Sequence, residues 1–516
     1  MLLNILLINP PLDWPDDTRL NSIFFQPVQS LGLGYIAAVL ENEGYTVDVL
    51  ECSAIGLNIK NIIGIIKNKE YSIIGLSVFI YNYYHSALIG NNVKKLFPNI
   101  KLVLGGFLPT LSPNEMFASI PGLDYCVLGE GEYTFLNLIR SIDSPTTIVE
   151  TNGIAYKRND EIIINGCSEV ITHLDSLPFP KISYISPSGM AAIISGRGCH
   201  GRCSFCSVEA YRGKIKGKYC RKRDPMQIIK EIEMLVHEHK VKIISFHDDS
   251  FLSVKELWLV NFIQSMKQSQ LNILFSFSAR ADDIIRFQKY MPELKEMGLT
   301  YIFIGVESFV PRQLELYNKN ISSEENRKAI EIIEECNISY GLGLILIDPF
   351  VCLDEIEYNL NVLNEIRYPE HCNSDNPPIS LLSPLFSVKY SQIESMLKNK
   401  GLYVKNEYGY EIIDNLSKRY FKISKMWVSQ LVLVHNKSFL DGDAYFGGYF
   451  KTAKRLKLLK KQIKVIDLNF CLSLCQYVKN NPEDKEVISF LSPWFEKINI
   501  ISTEINEIYN NRKIVG

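Results

Sequence analysis

The chain has 516 residues, with 55 Lys and Arg, 57 Asp and Glu and a formal net charge of -2. That length exceeds one ordinary core, so we expect about three domains. The near-zero charge excludes a protein whose overall field recruits nucleic acid or an anionic membrane. No apolar run reaches the roughly 18 residues of a membrane span and no basic leader is present, so we predict a cytoplasmic protein without a signal peptide. The 12 cysteines then indicate reduced thiols, some of them at a metal site.

Residues 1–142 alternate short apolar runs with segments of helical period. Between the first two runs, Tyr35–Glu43 places apolar residues on one helical face and stops before Gly44. This alternation predicts an α/β domain with an open, doubly wound, Rossmann-like parallel sheet, whose ligands bind beyond the carboxyl ends of the strands. The strands are expected at Leu2–Asn9, Tyr45–Leu50, Ile73–Val78, Lys101–Leu104 and Tyr125–Leu128.

The pattern changes after residue 142. Ile154–Ile164 reads as a β-hairpin and Leu177–Pro180 is punctuated by proline, so we expect a linker over residues 143–190. A second alternating series over residues 191–389 predicts a partial (β/α)6 barrel. Its strands are expected at Ala191–Ser195, Ile243–Phe246, Ile273–Ser278, Tyr301–Gly305, Tyr340–Ile347 and Ile379–Ser383. Residues 390–516 read as a mainly helical accessory region.

One barrel helix has clear boundary signals. Asp224 is the expected N-cap, because its side chain can accept a hydrogen bond from the first turn. Pro225 fits the first helical position, and apolar residues follow at helical spacing. We predict that this helix packs against the barrel.

Three cysteines lie just after the first predicted barrel strand, in the spacing Cys199-x3-Cys203-x2-Cys206. Thiolates are the ligands of iron–sulfur clusters, and three of them on a cubane leave one iron free to bind another molecule. A structural zinc ion is the alternative, with His200 or Cys220 as its fourth ligand. No second Cys-x2-Cys pair completes such a site, so the spacing favours a cluster.

This loop, with its glycines and Phe205, resembles the signature of the radical S-adenosylmethionine (SAM) superfamily. The resemblance implies a 4Fe-4S cluster on Cys199, Cys203 and Cys206, whose open iron binds the amino and carboxylate groups of SAM. One-electron reduction then cleaves SAM to a 5′-deoxyadenosyl radical. The electron would come from an external donor such as flavodoxin or ferredoxin.

The resemblance extends to the ends of the later barrel strands. Asp248 and Asp249 follow the second strand, where this superfamily contacts the amino group of SAM, and a carboxylate suits an ammonium group. At the third strand, the resemblance implies Ser278 for the ribose and Arg280 for the SAM carboxylate, which a guanidinium binds with two hydrogen bonds. Glu307 resembles the polar residue that faces SAM after the fourth strand. A loop cap or an ion pair at the barrel rim is the structural alternative for each.

Small residues at the strand ends of the first domain resemble the cobalamin-binding domain that precedes the barrel in one large radical SAM subfamily. Glycine lets a corrin and its nucleotide tail approach the backbone, which side chains would block. The resemblance implies cobalamin contacts at Asn9, Pro10, Leu33, Gly34, Ser77, Gly105, Gly106, Gly129, Glu130, Gly131 and Glu132.

The first domain also departs from that pattern. It lacks the Asp-x-His-x-x-Gly segment by which some cobalamin proteins ligate cobalt, and His85 lies near the right region without that context. Phe107 follows the glycine pair where many relatives carry polar residues. Either cobalamin binds without a histidine ligand, or the domain persists as a scaffold. Gly32-x-Gly34-x-x-Ala37 fits a dinucleotide fingerprint, but it follows its strand too late for nicotinamide or flavin.

With both cofactors, the resemblance implies a methyltransferase acting on an unactivated carbon, or less often phosphorus, of a small metabolite or natural-product intermediate. The protein would position the reactants, because the cofactors carry the chemistry. The alternative is a radical rearrangement, dehydration, cyclisation or ring contraction, with cobalamin absent or not a methyl carrier. An RNA-modifying methylthiotransferase is disfavoured, because it normally has another cysteine trio in its first domain, where this chain has only Cys52 and Cys126. The SAM-like strand ends disfavour a binding protein with a structural cluster.

Several other charged and thiol groups have structural interpretations. Cys471 and Cys475 lack the density of an auxiliary cluster, and Lys451–Lys464 reads as a solvated helix face. Arg221 and Arg223 either meet a carboxylate or form a solvated basic turn. Neither a nucleic acid nor a membrane is expected as a partner.

Overall fold

The computed structural model describes residues 3–12, 28–142, 150–372, 378–382, 384–386, 389–406, 408–437, 450–481 and 486–513. Three predictions reach beyond these ranges. Leu2 and Ser383, at the ends of two predicted strands, lie outside the described residues, and so does the segment just after the predicted boundary at residue 142. The side chains of residues 451–453, at the start of the predicted basic helix face, also lie outside them.

The first sheet confirms the predicted doubly wound architecture. It has seven strands in the order β2-β1-β3-β4-β5-β6-β7, and the pairs among the first five are all parallel. Its strands are β1 (Asn4–Asn9), β2 (Thr46–Glu51), β3 (Ile73–Ser77), β4 (Lys101–Gly105), β5 (Tyr125–Val127), β6 (Ile154–Arg158) and β7 (Glu161–Ile164). The central strands are apolar on both faces because helices cover both sides of the sheet. Its helices are Leu31–Asn42, Ile59–Asn68, Tyr83–Leu96, Phe107–Leu111, Pro113–Ser119 and Gly131–Ser141.

The predicted hairpin forms, but it belongs to the first sheet. β6 pairs with β5 in the antiparallel sense, and Cys126 lies opposite Ala155. Ile154 and Ala155 are fully buried. The hairpin covers an edge of the parallel sheet whose backbone groups would otherwise lack partners. The sheet therefore extends into the range predicted as a linker.

The second sheet has five parallel strands in the order β14-β13-β12-β11-β8. They are β8 (Met190–Ile193), β11 (Ile243–Phe246), β12 (Leu274–Arg280), β13 (Leu299–Glu307) and β14 (Ser339–Leu344). The sixth predicted strand, Ile379–Ser383, is wrong. Ile379–Leu382 forms a 3-10 turn, and a single parallel bridge joins Ile347 to Pro384. Proline offers no N–H to a ladder and disfavours regular structure just before it, which explains the interruption.

The helix after Asp224 is confirmed as Pro225–His239, and the Asp224 carboxylate accepts a hydrogen bond from the Met226 N–H at 2.8 Å. A two-stranded ribbon, β9 (Gly196–Arg197) with β10 (Arg221–Lys222), brackets the cysteine loop. The other helices around the barrel are Ser207–Arg212, Glu256–Ser269, Ala281–Arg286, Met291–Glu296, Pro311–Leu316, Ser323–Glu335, Leu353–Glu365 and Tyr368–His371.

The C-terminal region is helical, as predicted. Its helices are Gln392–Asn399, Asn415–Lys437, Phe450–Asn480 and Val487–Lys513. Buried residues of these helices, such as Trp427, Phe470 and Leu491, belong to the same apolar cluster as the barrel strands. The C-terminal helices therefore pack against the barrel and share its apolar core. None of the described helices combines the length and apolar character needed to cross a membrane.

Candidate functional site

The cysteine loop leaves the barrel at the carboxyl end of β8. Gly198 has a φ of +89°, and a Cβ atom there would lie 2.6 Å from the carbonyl oxygen of Tyr219. Glycine is needed for this turn, because other residues would be strained and would clash with the strand opposite. Cys206 then stands at the N-cap of the short helix Ser207–Arg212. The turn and the helix start hold the three cysteines on one compact loop.

The loop surrounds its thiols with hydrogen-bond donors. The Gly201 N–H donates to Cys199 Sγ at 3.3 Å, and Arg280 Nη1 lies 3.7 Å from Cys203 Sγ. Burial nevertheless raises the pKa of Cys199, and it raises the pKa of Cys206 to about 12. Coordination to a metal centre would oppose this shift, because a metal ion stabilises the thiolate form.

The zinc alternative requires His200 or Cys220 as a fourth ligand beside the three thiols. His200, the proposed fourth zinc ligand, instead has its two ring nitrogens 3.6 Å from Asp282 and 3.6 Å from Asp283. His200, Asp282 and Asp283 could together hold a metal ion, although each carboxylate faces a different ring nitrogen.

Of the predicted SAM residues, Arg280 contacts the cysteine loop, and Glu307 lies beside Lys319. Arg280 forms a two-pronged ion pair with Asp282, and its Nη2 donates to the carbonyl oxygen of Lys319 at 2.9 Å. Glu307 has a φ of +66° and lies 3.4 Å from Lys319 Nζ. Burial raises the pKa of Glu307, and the charge of Lys319 opposes that shift. Sequence reasoning missed Lys319, which no motif marked.

The two neighbouring acids after β11 face different surroundings. Asp248 is buried, and its carboxylate accepts hydrogen bonds from the Ser195 N–H at 2.7 Å, from the Ser195 hydroxyl and from Lys222 Nζ at 2.6 Å. Asp249 is exposed to the cavity between the domains, and among the described residues it accepts one hydrogen bond, from the Gly198 N–H at 2.9 Å. Desolvation by the surrounding protein raises the pKa of Asp249. The structure therefore leaves Asp249, and not Asp248, with free acceptor capacity.

A cavity of about 260 Å³ opens among the barrel strands. It is lined in part by Ser276, Ser278 and Phe303, so the predicted ribose residue Ser278 faces open space. His247 lines this cavity and also the larger one between the domains. In the described part of the chain, no hydrogen bond involves its ring. The ring is exposed to the cavities, but desolvation by the surrounding protein lowers its pKa. Sequence reasoning missed His247, although its place directly after a barrel strand was a usable signal.

The larger cavity, of about 350 Å³, lies between the first domain and the barrel. Its first-domain wall comes from the carboxyl ends of β3, β4 and β5 and from the start of helix Leu31–Asn42. Its barrel wall includes the ends of the cysteine-loop ribbon and two tyrosines. Among its lining residues are Phe79, Phe107, Arg197, Gly198, Tyr211, Tyr219, Arg221 and Asp249.

Most of the predicted cobalamin residues line this cavity. They are Leu33, Ser77, Gly105, Gly106, Gly129, Glu130, Gly131 and Glu132. Asn9, Pro10 and Gly34 do not line it. The Asn9 side chain donates to Glu51 at 2.9 Å, and a Cβ atom at Gly34 would lie 2.9 Å from the carbonyl oxygen of Lys181.

The glycines of the strand ends serve the chain's own packing as well as the cavity. Gly129 has a φ of +88°, and a Cβ atom there would lie 2.6 Å from Ser168 Oγ. At Gly105, by contrast, the nearest atom to an added Cβ would be 3.8 Å away, so its absent side chain keeps cavity space open. The buried Glu132 Oε2 accepts no hydrogen bond within the described residues. An acceptor without a donor at the cavity wall suits a ligand with amide or hydroxyl donors.

Comparison with known families agrees with this geometry. Residues 24–139 match the B12 binding domain family, and residues 193–363 match the radical SAM superfamily. An uncharacterized methyltransferase of Pyrococcus horikoshii is 25% identical over 373 residues, which are 71% of this chain and 78% of the relative. The anaerobic magnesium-protoporphyrin IX monomethyl ester cyclase of Rubrivivax gelatinosus is 28% identical over 320 residues, or 59% of this chain. The chain spans only 56% of that cyclase.

A solved structure shares the fold along nearly the whole chain. This is the structure of the cobalamin-dependent SAM radical enzyme OxsB with aqua-cobalamin and SAM bound. Its alignment covers 99% of this chain and 81% of the OxsB chain, with a TM-score of 0.76 and 18% sequence identity. At that identity the likeness concerns the fold alone. Together with the two family matches and the cysteine loop, it confirms the predicted domain types. The chain belongs to the radical SAM enzymes that carry a B12-binding domain ahead of the barrel, a family that uses a 4Fe-4S cluster, SAM and cobalamin.

Proposed function

We propose that this chain is a cobalamin-dependent methyltransferase that acts on an unactivated carbon, or less often phosphorus, of a small molecule. The observation that supports this function is the cavity between the two domains. It is bounded on one side by the strand ends of the B12-binding domain and on the other by Gly196, Arg197 and Gly198, which lead directly into the cysteine loop. Methyl transfer between two cofactors needs one common space from which water is excluded.

In this proposal each cofactor is held by a separate set of side chains. Cys199, Cys203 and Cys206 hold the cluster, Arg280 binds the carboxylate of SAM, and Asp249 accepts a hydrogen bond from its ammonium group. Ser278 and Glu307 face the remainder of SAM from the neighbouring strand ends. When bound, the cluster and SAM supply a 5′-deoxyadenosyl radical, and cobalamin supplies the methyl group.

The first domain would hold cobalamin without a histidine ligand. Within the described residues, the first-domain wall of the cavity contains no histidine, and His85 is not among the lining residues. Leu33, Ser77 and Gly105 line the wall and leave space for the corrin and its tail. Phe79 and Phe107 stack 5.8 Å apart on the same side, which gives the wall an apolar face.

A radical reaction without methyl transfer is the second candidate function. The matched cyclase of Rubrivivax gelatinosus favours it, because that relative is named for ring formation. Both candidates use the same cluster and the same SAM residues. They differ in the fate of the methyl group of SAM.

The experiment that tests the proposal is anaerobic expression with cobalamin, followed by iron, sulfide and corrin analysis and incubation with methyl-labelled SAM and candidate substrates. We expect a cluster, bound corrin and label in the product. Corrin without label in any product would favour the second candidate, and protein without corrin would refute cobalamin dependence. The exposed Cys352 provides a control, because Cys352→Ala removes a thiol remote from the Cys199 loop in sequence.

We also propose the finer assignments that accompany this function. The domains are residues 1–142, a linker with hairpin over 143–190, the barrel over 191–389 and an accessory region over 390–516, with the hairpin packed on the first sheet. Radical SAM enzymes act on small molecules and need a reductant. We infer a flavodoxin or ferredoxin donor and a cytoplasmic location, which fractionation and reduction assays would test.

A further inference from the structure

Four charged side chains join the two domains beside the large cavity. Arg221 of the barrel binds Glu130 of the first domain through two hydrogen bonds, of 2.6 and 3.0 Å. Arg197 forms an ion pair with Glu132 and lies 3.2 Å from Glu130. We call these four residues the Glu–Arg cluster. Its two carboxylates and two guanidinium groups balance in charge.

The Glu–Arg cluster is largely buried, so each of its charges needs a partner of opposite sign. The side chains of Arg221, Glu130 and Glu132 are 3%, 7% and 4% exposed, and that of Arg197 is 19% exposed. Burial acts to raise the pKa of Glu130, but hydrogen bonding to Arg221 and the charges of Arg197 and Arg221 lower it below its usual value. Glu130 is therefore ionised, and neither of its carboxylate oxygens is free for a ligand. Removal of one partner would leave a buried charge without compensation.

The Glu–Arg cluster connects the cysteine loop of the barrel with the turn after β5 in the first domain. Arg197 precedes Cys199 by two residues and lies in β9, which pairs with Arg221 in β10. Glu130 and Glu132 lie at the turn after β5, and all four residues line the cavity between the domains. Arg197 also lies over the ring of Tyr35, at 5.6 Å, on the first helix of the B12-binding domain.

We propose that the Glu–Arg cluster sets the position of the iron–sulfur loop relative to the corrin cavity, so that Glu130, Arg197 and Arg221 are positioning residues of the two-cofactor reaction. This inference rests on the proposed function for its consequence, but its geometry is independent of the substrate. The Gly-Glu-Gly-Glu turn then has two tasks. Its backbone borders the corrin space, and its carboxylates fix the barrel loop that faces that space.

A purely stabilising role is the alternative, and a matched variant separates the two. Glu130→Gln removes one charge from the cluster. Glu115→Gln instead breaks an ion pair to Lys389, the last residue of the range assigned to the barrel. This pair also joins the first domain to that range, but its side chains are 43% and 37% exposed. Both variants break one contact across the same two parts of the chain. Of the two ion pairs, only the one that contains Glu130 lines the cavity between the domains.

The first measurement is made on the holoenzyme. In reduced protein, the paramagnetic cluster and cobalt(II) corrin interact through space, so pulsed electron paramagnetic resonance reports the distribution of distances between them. We expect Glu130→Gln and Arg197→Gln to broaden or shift that distribution in the molecules that carry both the iron–sulfur cluster and corrin, which are the molecules that give the signal. Glu115→Gln should reproduce the wild-type distribution. An unchanged distribution in Glu130→Gln and Arg197→Gln would overturn the inference.

A second measurement does not depend on corrin. Hydrogen exchange of the protein loaded with its iron–sulfur cluster reports the local opening of peptides from residues 128–132 and 196–206. We expect Glu130→Gln to speed exchange in both peptides by about tenfold or more, with little change in Glu115→Gln. Acceleration of neither peptide, or equal acceleration of the whole chain, would refute the positioning role. Absence of corrin from wild-type protein would contradict the proposed function alone, because this second test would still decide the inference.

Discussion

The cysteine loop and the Gly-Glu-Gly-Glu turn are alike in sequence terms but differ in what their side chains can do. Each follows a predicted strand, each carries a motif, and each borders the cavity between the domains. The thiols of the loop accept single hydrogen bonds, such as that from the Gly201 N–H to Cys199 at 3.3 Å and that from Arg280 to Cys203 at 3.7 Å. The carboxylate of Glu130, in contrast, is fully engaged by Arg221 and by the Ile171 N–H at 2.6 Å.

The difference teaches that burial treats the two groups unequally. A protonated thiol is a small, nearly apolar group and can be buried without a partner. A carboxylate in the same position must find a cation or several donors within the chain, because an isolated buried charge is too costly. A thiol motif therefore predicts an available ligand set. A carboxylate motif predicts a buried partner at least as strongly as it predicts a ligand.

The largest expected effect comes from the loop. The triple variant Cys199→Ala/Cys203→Ala/Cys206→Ala should lose the iron–sulfur cluster, because three ligands disappear together. Formation of 5′-deoxyadenosine should fall to background, a loss of about a hundredfold or more, if each SAM cleavage needs the cluster electron. Iron and sulfide analysis, electronic spectra and nucleoside chromatography measure these changes. Cys352→Ala should behave like the wild type. A triple variant that retains its iron–sulfur cluster would contradict the assignment of the three cysteines as ligands.

Asp248 and Asp249 of the barrel differ in the same way, because Asp248 is bound by several donors of the chain and Asp249 by fewer. Asp248→Asn leaves the partly buried Lys222 without its carboxylate partner, so the free energy of unfolding should fall by about 3 kcal/mol. Asp249→Asn should change stability little but weaken SAM binding about tenfold, because it removes one charge-assisted hydrogen bond. Denaturant unfolding and calorimetric titration with SAM measure the two effects. The reverse ranking of the two variants would show that Asp248 is the one available to SAM.

The acid behind the cysteine loop should give the chain a specific pH dependence. Burial raises the pKa of Asp283 from 3.8 to about 6. The folded state therefore binds this proton more tightly than the unfolded state, and its contribution to stability falls as the pH rises from about 4 to about 6. Asp283→Asn should remove that part of the decline. Thermal unfolding of both proteins across this pH range measures it, and parallel curves would contradict the assignment.

The smallest expected effect concerns an exposed ion pair. Glu115→Gln breaks its contact with Lys389, whose side chains are both partly solvated. We expect a loss below about 1 kcal/mol, because water and salt already screen such pairs. The loss should shrink further in high salt. Denaturant unfolding at two salt concentrations measures it, and a loss as large as that of Asp248→Asn would remove the contrast between buried and exposed charges.

Sequence patterns predicted the strands of both sheets well because buried parallel strands are continuous apolar runs. β11 was expected at Ile243–Phe246 and occurs there. The expected strand at Ile379–Ser383 failed because an apolar run does not reveal its pairing partner, and Pro384 interrupts the ladder. The hairpin was recognised from alternation, but its place on the first sheet depends on a contact with Cys126 that no local pattern contains.

By itself the sequence predicted a ligand set in the cysteine loop, and it determined the helix cap at Asp224 and the alternating order of the two α/β domains. These features depend on neighbours within a few residues, so spacing is enough to specify them. Only the tertiary structure decided that Asp249 lines the cavity between the domains whereas Asp248 lines the cavity among the barrel strands, and that His247 borders both. It also decided that Arg197 and Arg221 neutralise the acids of a turn more than 60 residues earlier. Those outcomes follow from long-range packing, which sets the burial of each charge and therefore the partner that it requires.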